Sequence, residues 1–509
     1  MDTSYCVIAY ILAIYAVYFI GRAVRRAVFT PLWKIPGPRL NAFTNLPFLF
    51  HTFCGRYHTY TIRLHEQYGE VVRVGYNQVS VCNVSELRRI LATHKFRKSK
   101  HYERGLFLPP TIFSSTDPEL NRTRRRQMGP TYSMATMRML EDKVIESGAA
   151  ALIGEWDRQL LGQKHALVNY FYGFHGAAVD IISVLGFGHS FGIIKNGDRR
   201  IIDGLHRHVA FVVMRSCFGL LGRYPWIAKP LLDGRQYVTQ VAEEAIARRH
   251  AENEKTGGSK RVDILQRLIE AHNPATGQQV TGPHLTAEIL LLLIAGTDTT
   301  SNTLSWTLMH LLHHPEVMQR LQQDIRQAFP DNSRPIGFDE ARAQLPYLTA
   351  VFYESMRLHP AVSGYLPRAV PEEGAVLVDA YHLPAGTDIC ISLAACHRNV
   401  NIWHNPHQFN PERFMGPDAE LRKRDVLVFS TGVRMCIGRN LAWIELYTML
   451  ANLLRKYNFE LPENAQYGPH RIAPKDDAVC PQSIPGSAYT TFGPGNPSRN
   501  CQVKISLAA

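Results

Sequence analysis

The chain has 509 residues, of which 45% are apolar and 19% charged. That composition excludes a disordered polymer and is ample for a packed globule without disulfides. Lys plus Arg number 56 against 43 Asp plus Glu, and the net +13 suits anionic lipid, nucleic acid or an acidic protein without choosing among them. Nine cysteines, an odd number with no Cys-x-x-Cys, exclude a disulfide framework and zinc ribbons and fit a reducing, cytosolic setting.

In chain order, Thr3 to Gly21 contains no charged residue, and Arg22, Arg25 and Arg26 follow at once. A helix of that length nearly crosses a hydrocarbon core of about 30 Å. The arginines place its far end, and everything after it, on the cytosolic side. A cleaved secretory signal would need its basic cluster before the apolar run and a small-residue cleavage site; here the basic cluster comes after. An anchor over 3–21 is therefore expected, then a basic, Pro-rich hinge over 22–40 around Pro36-Gly37-Pro38, then one body over 41–509. With the body in the cytosol, the sequons at Asn83 and Asn121 stay unglycosylated.

The body reads as mainly α with minor β. Val71–Val74 and Gln78–Cys82, flanking Gly75-Tyr76-Asn77, predict a hairpin, and helix patterning runs from Ser85 to Thr93. The strongest helix is expected from Thr286, as N-cap, to His314 before Pro315; it is apolar on every side from Ile289 to Ala295, as a buried central helix would be. Another helix begins near Pro346. After His359-Pro360 the chain reads as irregular and Pro-rich until a last helix over Leu441–Tyr457.

Three runs could carry chemistry. Phe429-Ser-Thr-Gly-Val-Arg434-Met-Cys436-Ile-Gly438 brackets a cysteine with glycines just before a helix, where amide N–H groups stabilise a thiolate. Glu354 and Arg357 share a helix face at i, i+3, and Arg413 is a third charge in Pro411-Glu412-Arg413-Phe414. Ala295-Gly296-Thr297-Asp298-Thr299-Thr300 puts a costly glycine mid-helix. The Thr299 hydroxyl can bond the Ala295 carbonyl and bend the helix. This leaves a plain kink, or a groove for a small ligand with a carboxylate and a hydroxyl ready to relay protons.

In this order and spacing the runs resemble the cytochrome P450 family, from about Trp33 to the C-terminus, and most of all the fungal microsomal members that tailor secondary metabolites. The resemblance implies the cytochrome P450 fold behind a single N-terminal transmembrane helix in the endoplasmic reticulum membrane. It implies haem b, iron protoporphyrin IX, with Cys436 as axial thiolate ligand of the iron and Phe429 opening the loop. Arg125, Arg368 and Arg434 would meet the propionates. Asn121, where the family usually has Trp or His, could donate a hydrogen bond there. Read alone, the basic run Asn121–Arg126 would pass for a nucleic-acid patch; the resemblance argues against nucleic acid. Glu354, Arg357 and Arg413 would form a structural charge network, and Asp298 and Thr299 the acid–alcohol pair that delivers protons during oxygen activation.

The resemblance places pocket walls at Tyr102–Phe113, near Leu292–Ala295, at Ala361–Leu366 and around Ser487–Tyr489, mostly apolar, with Arg104 the one basic residue. They fit a hydrophobic small molecule. No dinucleotide or flavin fingerprint is present, so electrons must come from another protein; the resemblance implies NADPH–cytochrome P450 reductase, with cytochrome b5 as a second donor. The leading expectation is a monooxygenase inserting one oxygen atom. The same residues also serve desaturation, ring coupling or rearrangement, and a non-enzymatic haem sensor or scaffold stands as a third reading.

Overall fold

A computed structural model describes residues 3–104, 108–217, 226, 229–256, 263–273, 276–363, 365–378, 380–470 and 483–508. Its first element is α1 (Thr3–Val28), a 26-residue helix that runs on past Gly21 through all three arginines. Tyr10, Leu12, Val17 and Ile20 are exposed along it, and Ala27 is buried where it meets the body. There the Arg73 guanidinium donates to the carbonyls of Arg26 and Ala27 at 3.3 and 3.0 Å, taking up helix-end acceptors.

The expected hinge is stitched down. Pro31–Lys34 forms a 3-10 turn with Leu32 buried. The Arg73 N–H donates to the Pro36 carbonyl at 2.8 Å. Gly37 has φ +154, and a Cβ there would sit 2.6 Å from the Arg73 carbonyl oxygen, so this crossing of chain over strand tolerates only glycine.

The hairpin forms as β1 (Val71–Gly75) and β2 (Gln78–Val81). The following helix, α2 (Val84–Ala92), is capped by Asn83, whose side chain accepts from the Glu86 N–H and donates to Glu70. The other sequon asparagine, Asn121, is fully buried in α3 (Pro118–Met128).

Six helices position the site: α3; α4 (Tyr170–Phe187); α5 (Arg200–Cys217); α6 (Pro283–His313); α7 (Pro346–Leu358); and α8 (Arg439–Lys456). The central helix α6 starts at Pro283, not at a Thr286 cap, because a proline at N1 loses no hydrogen bond and presets φ. Its 31 residues span about 46 Å. Six hydroxyls, on Thr297, Thr299, Ser301, Thr303, Ser305 and Thr307, each donate to the carbonyl four residues back, so these hydroxyls are satisfied within the helix.

Helix α4 packs beside α6 through a pair of glycines. A Cβ on Gly296 would come within 2.4 Å of Ile182, and one on Gly186 within 2.8 Å of Leu292. Gly296 thus has a packing reason to be glycine: it seats an isoleucine of the neighbouring helix. Helix α4 is also the one described helix long and apolar enough to cross a membrane by length and hydropathy, but it is mostly buried in the body.

The Pro-rich region after His359 is more ordered than its composition suggests. It contributes β3 (Leu366–Ala369) and β4 (Asp388–Ile391), which join the first hairpin in a sheet of order β1-β2-β4-β3, with β2 and β4 parallel. The last helix runs Arg439–Lys456, two residues earlier at its start than patterning indicated.

A candidate haem-thiolate site between the cysteine loop and the central helix

The cysteine loop is held by its backbone. The Cys436 N–H donates to the Phe429 carbonyl at 2.8 Å, closing the turn, and the Phe429 ring packs on Trp443 of α8. Gly432 has φ +65, and a Cβ there would lie 2.3 Å from the Leu91 carbonyl oxygen; the loop can approach α2 only because that position is glycine. Ser430 also takes a left-handed conformation, φ 59. Cys436 keeps an exposed face, while chain packs closely around the rest of its thiol. Burial by surrounding chain raises its pKa, while the Gly438 and Arg439 amides and the Arg125 and Arg439 guanidinium groups pull it back toward thiolate.

Beside it lies a cluster of cations with no carboxylate partner in the described residues. Arg125 of α3 donates to the Met435 carbonyl, next to the thiol. Arg434 donates to the Ser115 carbonyl at 2.9 Å. Arg368, on β3, is buried with Nη1 unpartnered. Lys98 bridges to Arg368 through the backbone, and its ammonium donates to the Phe113 carbonyl between the rings of Tyr102 and Phe113. Burial, then the charges of Arg368, Arg434 and Arg125, drives the Lys98 pKa well below the usual lysine range. Burial and the same neighbours lower Arg434 to about 10. Four clustered cations, two with buried unpartnered nitrogens (Arg125 Nε and Arg368 Nη1), form a cradle for a dianion. Haem, with two carboxylates and an iron that takes a thiolate, fits this donor set.

Asn121 has a different place. Its Nδ2 donates to the Ile112 carbonyl at 2.9 Å, and its buried unpartnered atom is Oδ1, an acceptor, the wrong polarity for a carboxylate. It holds the Ile112 loop, whose N–H donates to Glu288 of α6 at 2.8 Å.

Glu354, Arg357 and Arg413 come together away from solvent. Arg357 binds both Glu354 oxygens, at 2.7 and 2.8 Å, and the carbonyls of His397, Pro406 and Gln408. Arg413 reaches Glu354 Oε1 at 3.2 Å, and the Asn410 N–H donates to the same oxygen at 2.8 Å.

On α6, Ala295 is exposed and Gly296 and Thr299 are half-exposed, an accessible strip on an otherwise buried helix. The Thr299 hydroxyl donates to the Ala295 carbonyl at 2.6 Å. The neighbouring Asp298 side chain turns inward to His175 of α4, His206 of α5 and Thr491. Burial opposes its ionisation, but His206, His175 and the Thr491 hydroxyl outweigh burial and hold the carboxyl below its ordinary value. Thr491 sits in the turn between strands Gly486–Ala488 and Phe492–Pro494, and the Phe492 N–H donates to the Ala361 carbonyl at 2.8 Å, joining two of the expected pocket walls. Of those walls, the Arg104 side chain, residues 105–107 and residue 364 lie outside the described residues.

This site decides the family. The chain matches the Cytochrome P450 family over residues 35–482.

The chain is a cytochrome P450.

It is 30% identical over 485 residues to "Cytochrome P450 monooxygenase helB3" of Aspergillus fumigatus, covering 94% of each chain. It is 31% identical to helB2 of the same fungus with the same coverage. To "Cytochrome P450 monooxygenase acrD" of Aspergillus aculeatus it is 30% identical, covering 85% of this chain and 86% of the relative. Membership makes this P450 a haem-thiolate oxidoreductase of the monooxygenase kind. Reading the sequence alone misses Lys98, Thr491, His175 and His206. Lys98 sits in an ordinary basic run, Arg97-Lys98-Ser99-Lys100, and nothing local marks the other three.

Proposed function

We propose that this P450 is a membrane-anchored monooxygenase that inserts one oxygen atom of O2 into a hydrophobic small molecule, as a tailoring step in fungal secondary metabolism. The observation that carries the reading is the half-exposed Thr299 hydroxyl on the accessible strip of α6, backed by an ionised, buried Asp298.

Cys436 would hold the haem iron, and Lys98, Arg125, Arg368 and Arg434 its propionates. Bound there, haem supplies the reductive activation of dioxygen, which thiolate ligation favours over histidine ligation. The chain's own work is protonic. Thr299 Oγ1 presents a hydroxyl to the reacting face, and Asp298 passes protons toward it from the histidine side in a space that excludes bulk water. The Glu354–Arg357–Arg413 network pins the segment that leads into the cysteine loop. Electrons come from NADPH–cytochrome P450 reductase, with cytochrome b5 as a second donor; the net +13 suits an acidic donor surface or anionic lipid. The uncharged, exposed part of α1 ahead of Arg22, about 28 Å long, would anchor the body to the cytosolic face of the endoplasmic reticulum. Protease added outside sealed microsomes should then remove the body.

The test is turnover of extract from a producing fungus by the reductase-reconstituted enzyme under isotope-labelled O2. One labelled oxygen in the product is expected. A product two hydrogens lighter without label would make the reaction a desaturation. Cys436→Ala should abolish the strongly red-shifted Soret band of the reduced, carbon monoxide-treated protein, while Cys390→Ala and Cys396→Ala keep it; a retained band in Cys436→Ala refutes the ligand assignment.

A further inference from the structure

Three side chains from three helices converge behind the accessible strip. Asp298 Oδ1 lies 3.8 Å from His175 Nε2 and 3.6 Å from His206 Nε2, and the three ligand atoms all fall within 4.8 Å of one another. Both spacings exceed an ordinary N–H···O hydrogen bond of roughly 2.7–3.2 Å. Two ligands about 2.1 Å from one tetrahedral zinc ion stand about 3.4 Å apart.

The polarity is equally telling. His175 Nδ1 lies 3.0 Å from the Phe171 carbonyl oxygen, which can only accept, so Nδ1 carries the proton. His175 is buried. With its Nδ1 proton turned to that carbonyl, a neutral ring aims the Nε2 lone pair at a carboxylate oxygen. Both of these atoms are buried and unpartnered. Two acceptors facing each other call for a positive group between them. The outer contacts are those that orient metal ligands: a carbonyl on the far nitrogen of His175, and the Thr491 hydroxyl on Asp298 Oδ2 at 3.3 Å. The His206 side chain is 46% exposed and opens a way in.

We propose that His175, His206 and Asp298 form a second metal site, apart from the haem, that takes one zinc ion in a two-imidazole, one-carboxylate set with water as fourth ligand. The residue types suit zinc, which favours imidazole and accepts a carboxylate oxygen. Its consequence rests on the function proposed above: zinc on Asp298 Oδ1 removes the carboxylate from proton traffic, so zinc inhibits this P450.

The experiment is equilibrium dialysis of the haem-loaded, chelator-washed enzyme against zinc chloride, with bound zinc counted by mass spectrometry. Wild type should hold one more zinc per chain than His206→Ala and than Asp298→Asn. His206→Ala alters a half-exposed side chain, so its red-shifted carbon monoxide band should persist and show an intact fold. Equal zinc in wild type and His206→Ala at every concentration overturns the site. Zinc-edge X-ray absorption should show two imidazole nitrogens and one carboxylate oxygen at about 2.0–2.2 Å; an all-water shell also overturns it. Saturating zinc should lower product formed by wild type about 100-fold, as loss of the Asp298 carboxylate does, and leave the residual rate of His206→Ala unmoved. Zinc that binds in this set without slowing wild type supports the site and instead refutes the proton role given to Asp298.

Discussion

Glu354 and Asp298 are both buried carboxylates, and the chain treats them in opposite ways. Glu354 meets a bidentate arginine, a second arginine and a backbone N–H, all within 3.2 Å. Asp298 meets two imidazoles at 3.6 and 3.8 Å and one hydroxyl at 3.3 Å. A saturated carboxylate in a low-dielectric interior cannot exchange partners without large cost, so it serves as a brace. An under-saturated one beside groups that gain and lose protons is ready to act. Glu445 of α8 shows a third solution. Among the described residues no cation faces it, burial dominates the weaker help of Thr300, and its pKa rises to about 8, which favours the neutral acid.

The contrast can be broken most severely at Arg357. Arg357→Ala strands the Glu354 charge in the interior and should cost about 3–5 kcal/mol. Purified protein should fail to retain haem; full haem occupancy in Arg357→Ala would show that the network is not a brace. At the other carboxylate, Asp298→Asn should spare haem binding and the carbon monoxide spectrum but slow turnover about 100-fold, as loss of a positioned proton donor does. Unchanged turnover would place Asp298 with Glu354 as a structural group.

Glu445 sharpens the comparison through pH. Its folded pKa lies above the 4.5 of the unfolded chain, so as pH rises through that value the unfolded state gives up its proton first. The contribution of Glu445 to stability should therefore fall from about pH 4.5 to about pH 8, by up to about 1.4 kcal/mol per unit. It runs against the buried histidines, whose lowered pKa values add stability as pH rises toward 6.5, so the measurable quantity is a difference: Glu445→Gln should gain stability relative to wild type as pH rises from 5 to 8 in denaturant titrations. An identical slope in Glu445→Gln would mean that the carboxyl is ionised after all. The smallest effect belongs to Thr299→Ala. Haem binding should persist while product per NADPH falls about fivefold and hydrogen peroxide makes up the difference. An unchanged ratio would reduce Thr299 to one more hydroxyl in the α6 ladder.

How much could be read beforehand follows from where each interaction lies along the chain. The hairpin, the central helix and the helix bearing Glu354 and Arg357 declare themselves through local alternation, apolar runs and prolines, and their bounds shift by only a few residues in the structure. The cysteine loop is likewise legible, since its thiol, glycines and arginine fall within ten consecutive residues. Gly296 shows the limit. Its cost in a helix signals a special reason, and the structure supplies one that no local pattern could show, the Ile182 side chain 114 positions earlier.

The sequence by itself determined the family, the first hairpin, the central helix and its two later companions, and the residue types of the haem side, because those depend on contiguous motifs and short-range periodicity. Tertiary structure alone decided the company Asp298 keeps. His175 and His206 come from two helices far upstream, and Thr491 from a turn near the other end of the chain. Each is unremarkable in its own surroundings, and only packing against α6 makes them neighbours. The same holds for Lys98: among the basic residues around it, only burial beside Arg125, Arg368 and Arg434 sets it apart. Charge and proton affinity depend on distance and dielectric, and the fold supplies both.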